Sequence, residues 1–174
     1  MKFTVDKSLE ILERTPKVLI TMLQDISADW TSPNEGGDSW SVYDIIGHLI
    51  HGEKTDWVPR TEIILSENSD KKFTPFDRFA QFEDSKGKTL NQLLKEFKML
   101  RERNIEQLRS KKITDKNLEE IGIHPAFGNV TLSQLLSTWV VHDLNHIAQI
   151  SRVMAKQFKV EVGPWTEYLR ILQS

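Results

Sequence analysis

The 174-residue chain contains no cysteine. That excludes disulfides, thiolate zinc ligands and a protein thiol nucleophile, and it is compatible with a reducing compartment. No apolar run approaches the roughly 18 residues that a membrane span requires. The opening stretch MKFTVDKSLEILERT carries Lys2, Asp6, Lys7 and Glu10 and has no apolar core of signal-peptide length. An excess of one charge is missing too. The formal net charge is −2 and there is no concentrated Lys/Arg stripe, so neither nucleic acid nor an anionic membrane is an expected partner. Strand signals are weak throughout, and no internal repeat is present. The expectation is a cytoplasmic single domain over residues 1–174, long enough to close a hydrophobic core without staples.

What the chain does have is helical periodicity, in four segments. The first runs from about Asp6 to Ile26, with an apolar face that includes Leu9, Leu12, Val18, Leu19 and Leu23. Thr15 and Pro16 suit an N-cap and first helical position, so a kink or restart is expected there. The second opens at Ser41 in SVYD, a capping box closed by Asp44, and continues past His48 and Trp57 toward Leu65. Pro59 should bend or interrupt it. The third starts at Thr89 in TLNQ, and the fourth at Thr131 in TLSQ, running to about Lys156. Residues 66–88 are too long for a turn and carry Phe73, Phe76, Phe79 and Phe82, so they read as a crossover whose aromatics pack over one end of a bundle. GIHPAFGN reads as an irregular stretch, and the tail VGPWTEYLRILQS as a turn followed by a short helix. The fold class predicted is all-α: an antiparallel four-helix bundle with long crossover connections and a short C-terminal helix.

The fourth helix contains STWVVHDLNHIAQIS. Residues four apart on a helix differ by about 40° in azimuth and about 6 Å in rise, so His142 and His146 leave one face close enough to reach one ion. A helical wheel sets them along the stripe of Leu135, Trp139, Ile150 and Val153. Asp143 falls about 100° round, still inside the stripe. A carboxylate there needs a partner, and a ligating imidazole N–H from another helix is one candidate. Alone, such a pair also fits ordinary core histidines. The second helix adds GHLIHGE, with His48 on a core-facing stripe and His51 to its side. Gly52 in mid-helix costs about 1 kcal/mol relative to alanine, and either a close approach by an ion or ligand or a tight helix contact explains it. Three histidines from two helices meet the requirement of a catalytic metal site, three protein ligands and an open position. There is no H-E-x-x-H for a zincin and no Glu-x-x-His for a di-iron bundle. His124 reads as an ordinary loop histidine beside Pro125.

WSVYDIIGHLIHGEKTDWVPR and LLSTWVVHDLNHIAQISRVMAKQF resemble the signature segments of the DinB/YfiT-like superfamily of metal-dependent enzymes. The likeness extends to ILERTPKVLITML near the start and VGPWTEYLRIL near the end, so it covers essentially the whole chain. It implies an antiparallel four-helix bundle with a three-histidine site for nickel, zinc or a similar divalent ion. By motif position the ligands fall on His48, His142 and His146, which leaves His51 as a group supporting the ligands, a substrate contact or an alternative ligand. The superfamily includes transferases and isomerases that use small thiols such as bacillithiol. The expected function is therefore a metal-dependent transferase or hydrolase acting on a small molecule, with homodimerisation implied by the same likeness. Glu53 and Asp143 are candidates for orienting the ligands or moving a proton. The alternative is a non-catalytic metal-binding or stress-response bundle acting through a protein partner, with Trp40, Trp57, Trp139 and Trp165 as anchors.

Overall fold

The computed structural model describes residues 1–173. α1 (Val5–Leu12) starts at Thr4, whose hydroxyl accepts from the Lys7 N–H. α2 (Thr15–Leu23) restarts the same rod beside Pro16. Thr15 does not cap it, because its hydroxyl donates back to the Ile11 carbonyl and Arg14 takes the junction in a helical conformation. Val18, assigned to the apolar face, is exposed. After the short α3 (Ala28–Thr31) comes α4 (Val42–Thr55), which opens with the reciprocal Ser41–Asp44 capping box. α5 (Trp57–Leu65) follows a break at Asp56. Pro59 has no N–H for the Thr55 carbonyl and its ring crowds that group, so the helix breaks directly after Thr55.

α6 (Ala80–Ser85) lies in the crossover, and α7 (Leu90–Ser110) and α9 (Leu132–Lys156) carry the predicted capping boxes at Thr89–Gln92 and Thr131–Gln134. Between them are α8 (Asp115–Leu118), β1 (Ile121–His124) and β2 (Gly128–Thr131). Contacts fix the helix directions. Asn91 bonds to Asp25 and Arg109 pairs with Glu13, so α7 runs against the first rod. Lys54 pairs with Glu96 and Lys111 with Glu62, so α7 runs alongside α4 and α5. Trp57 stacks on Trp139 while His48 meets His146, so α9 opposes that second rod. The four-helix bundle thus has two helices up and two down. Its middle pair is parallel, which obliges the chain to travel back the length of the bundle between them. Residues 66–89 make that journey.

The crossover differs from expectation in its aromatics. Phe73 is buried and Phe76 packs edge-on against His48 and His51, but Phe79 and Phe82 are exposed. α6 turns Gln81 and Ser85 inward instead, and a Cβ on Gly47 would lie 2.4 Å from the Ser85 hydroxyl oxygen. GIHPAFGN is not irregular either. β1 and β2 pair antiparallel from Ile121–Thr131 to His124–Gly128, and Ile123 exchanges backbone bonds with Lys71 and Phe73 of the crossover. The strands are short, and part of their pairing lies some fifty residues away, outside any local pattern. The short helical tail takes the 3₁₀ form, in Gly163–Tyr168 and Arg170–Leu172, and Leu172 is buried. No helix among the described residues is long and apolar enough to cross a membrane.

The core divides into two apolar clusters, one containing Leu12, Trp57, Leu108 and Trp139, the other Leu23, Ile46, Phe97 and Ile150. Along three of the four rods a buried charged residue falls between them: Glu53 on α4, Arg101 on α7 and Asp143 on α9. Arg101 Nη1 and Nη2 donate to the two Asp143 oxygens at 2.6 and 2.9 Å, and Nη2 also donates to Glu53 Oε1 at 2.8 Å. Asn104 Nδ2 and Trp139 Nε1 complete the Glu53 carboxylate at 3.0 and 3.1 Å, and Leu12 O accepts from Arg101 Nη1 at 2.9 Å. All three charged groups are essentially inaccessible.

Candidate metal centre

Three imidazoles meet beside this polar layer. His142 Nε2 lies 3.0 Å from His48 Nε2 and 3.1 Å from His146 Nε2. His142 and His146 are brought there by their four-residue spacing on α9, and His48 by the antiparallel packing of α4 on α9. Gln81 Oε1 accepts from His48 Nδ1 at 3.1 Å, and Gln149 Oε1 accepts from His146 Nδ1 at 2.8 Å. An amide oxygen only accepts, so in both rings the proton sits on Nδ1 and the Nε2 lone pair faces inward. A proton on His142 Nε2 can serve only one of its two neighbours. A cation at the point of convergence satisfies all three nitrogens. Imidazole nitrogens held about 2.0–2.1 Å from a common ion lie about 2.8–3.4 Å apart for angles at the ion between about 90° and 109°, and the two separations from His142 fall in that range. Trp40 packs its ring on His48 with centroids 4.8 Å apart and shields one side.

The electrostatics suit ligation. Burial, then the charge of His146, brings the His48 pKa down to about 4. Burial, followed by the charges of His146, His48 and Arg101, brings His142 down to about 2, and burial also lowers His146. The rings are neutral at pH 7, as ligands must be. A stability consequence follows for the metal-free protein. Below the ordinary histidine pKa of about 6.5 the unfolded chain binds protons that the folded chain refuses. Stability is therefore intact above pH 6.5 and is lost as pH falls toward the folded values, by about 1.4 kcal/mol per pH unit for each imidazole that stays neutral. Urea unfolding between pH 7.5 and 4.5 measures this. His48→Gln should flatten the slope, and an unchanged slope contradicts the assignment.

The remaining sequence candidates lie elsewhere. His51 faces Phe76 and sits 3.7 Å from Asp84, outside the group of nitrogens that converge. Glu53 and Asp143 hold Arg101 and make no hydrogen bond to an imidazole among the described residues. The orienting contacts expected of them come from Gln81 and Gln149, which the sequence reading passed over. Gln149 was within reach as the i+3 neighbour of His146, whereas Gln81 has no local signal because the crossover delivers it. Burial pushes the Glu53 carboxyl up, against the pull of Arg101. Of the two explanations for Gly52, the structure shows the close helix contact: a Cβ there would meet the Trp57 indole nitrogen of α5 at 3.3 Å. His124 Nδ1 accepts the Ala126 and Phe127 N–H groups and so caps the hairpin turn.

A cavity of about 250 Å³ abuts the triad at His142, between α5 and the hairpin. Larger clefts lie along α1, α2 and α7, away from the imidazoles.

Among solved structures, YfiT from Bacillus subtilis, described as a probable metal-dependent hydrolase with an unusual four-helix bundle topology, superimposes with a TM-score of 0.75. The two share 22% sequence identity, and the alignment covers 90% of each chain. No curated protein matches the sequence significantly. The family model of the DinB superfamily matches residues 11–150, most of the chain, and the protein belongs to that superfamily.

Proposed function

We propose that the protein is a metal-dependent enzyme of hydrolase type, with His48, His142 and His146 holding one divalent ion and a small organic molecule as substrate. The observation that carries this reading is the convergence of three neutral Nε2 atoms beside a cavity, two of them locked in the ligating tautomer by glutamine oxygens. An all-imidazole donor set suits zinc or nickel, and such an ion supplies Lewis acidity toward a water, a thiol or a carbonyl oxygen. The residues of the chain do the rest. Gln81 and Gln149 fix the rings, Trp40 and Phe76 keep water from their faces, and the α5–hairpin cavity receives the substrate. The description of YfiT favours hydrolysis over transfer. With no cysteine in the chain, a transfer reaction would take its sulfur from a small thiol such as bacillithiol. Of the four tryptophans that a protein-binding role would use, Trp57 and Trp139 are buried and Trp40 packs on His48; Trp165 alone of the four is well exposed.

The test is a panel of esters, amides and electrophiles offered to protein loaded with nickel or zinc, each with and without small thiols. Turnover that a chelator abolishes supports the reading, and dependence on thiol selects transfer over hydrolysis. Stoichiometric metal with no turnover on any substrate overturns it in favour of the non-catalytic bundle. The reading includes a cytoplasmic homodimer. Exposed Val141 and Leu144 on α9 are consistent with association, and light scattering at micromolar concentration decides it.

A further inference from the structure

The cavity at His142 has a composition that limits what can fill it. Its walls are mainly aromatic and aliphatic, with Trp57, Phe73, Phe76 and Phe127 among them. At about 250 Å³ it falls below the roughly 300–1,000 Å³ of pockets for drug-sized ligands. The occupant is therefore the size of a single ring or short chain. One strongly polar feature breaks the apolar lining, the Asp56–Arg60 pair.

Arg60 is held on three sides. Its Nε meets Asp56 Oδ1 at 2.5 Å, Nη2 donates to the Thr74 carbonyl at 3.3 Å, and its guanidinium lies 5.1 Å from the Phe73 ring centre. A guanidinium has five N–H groups. One of those on Arg60 is hydrogen-bonded, to Thr74, and Nε is paired by charge with Asp56, while Nη1 has no protein partner among the described residues. The residue is only 6% exposed, and it lines the cavity. No Arg60 nitrogen is both sealed from solvent and unpartnered, so its free N–H groups open toward the cavity, where an acceptor on a bound molecule would make a charge-assisted hydrogen bond. His124, the nearby histidine of the lining, cannot supply one, because its Nδ1 is already bonded to the turn.

We propose that this cavity is the substrate pocket of the triad, and that it selects a small molecule with an apolar, ring-sized body and one carboxylate seated against Arg60. The assignment rests on the proposed metal-dependent function for its catalytic meaning, but the recognition itself belongs to Arg60 and the aromatic walls. A carboxylate matches the planar fork of a guanidinium. A second negative charge is disfavoured by Asp56, which sits in the same wall.

Binding to the metal-free protein isolates this recognition, since no ion is then present to capture the acid. Benzoate and phenylacetate are titrated beside benzamide, phenylacetamide and phenyl phosphate, following quenching of tryptophan fluorescence. The expected result is that each carboxylate binds at least about tenfold more tightly than its amide and than phenyl phosphate. Arg60→Gln should remove the preference, whereas Phe127→Ala, at an exposed position, should weaken acid and amide alike. If Arg60→Gln fails to fold, the Arg60 Nε–H resonance of the wild type takes its place and should move with acid but not with amide. Equal binding of acid and amide, a preference that survives Arg60→Gln, or an unmoved resonance overturns the proposal, as does failure of every probe to bind. A protein that prefers the acid yet takes up no metal keeps the pocket and loses the catalysis. One that binds metal but shows no preference keeps the metal centre and loses the pocket.

Discussion

Replacing His142 with alanine is expected to abolish tight binding of zinc and nickel. Its Nε2 is the nitrogen within 3.0–3.1 Å of both other ligands, so its loss leaves His48 and His146 without the group that joins them. The deficit should exceed the roughly 10–100-fold that loss of an outer hydrogen-bond partner costs. Gln149→Ala supplies that lesser value for comparison, because it frees the His146 ring but leaves all three ligands in place. Calorimetric titration gives the affinities. Thermal unfolding gives a second readout: at free metal about 1,000-fold above Kd the wild type gains up to about 4 kcal/mol, and His142→Ala should gain nothing. If the variant binds metal as tightly as the wild type, the triad is not the metal site.

The second large effect is on stability. Arg101→Met should cost about 3–5 kcal/mol, because it leaves Glu53 and Asp143 buried without their cation. Chemical denaturation measures the loss. The cost is that of an abandoned charge rather than the worth of the pair, so adding Glu53→Gln and Asp143→Asn to Arg101→Met should restore much of it. A single variant within about 1 kcal/mol of wild type would mean that water reaches the layer and solvates the carboxylates.

Much of this architecture was legible in the sequence because its causes are local. The capping boxes at Ser41, Thr89 and Thr131 begin helices where their side chains meet backbone N–H groups three residues on. His142 and His146 declare themselves by helical spacing, and the likeness of the His48 segment to a known family supplied the third ligand. What escaped depends on distance along the chain. The partner of Asp143 is Arg101 rather than an imidazole, and Arg101 stands in the charged run KMLRERN. A wheel would have set it on the stripe of Leu94, Phe97, Ile105 and Leu108, a signal that its charge obscured. The hairpin escaped because half-exposed Ile121 and Ile123 give little alternation, and its outer edge is completed by Lys71 and Phe73. Gln81 escaped for the same reason: it reaches His48 only through the tertiary path of the crossover.

That path also sets an order of events. His142 and His146 become neighbours as soon as α9 coils, whereas His48 arrives across 94 residues and Gln81 must be carried in by a connection that docks last if local contacts form first. A nascent or partly unfolded chain therefore already offers a two-nitrogen chelate. Metal held there stabilises the unfinished state as well as the finished one, so the gain in folding stability from added metal falls short of what the affinity of the native site alone would give. Excess metal during refolding would then retain chains at the two-ligand stage, and the best yield of the completed site would come from supplying the ion after the bundle has closed.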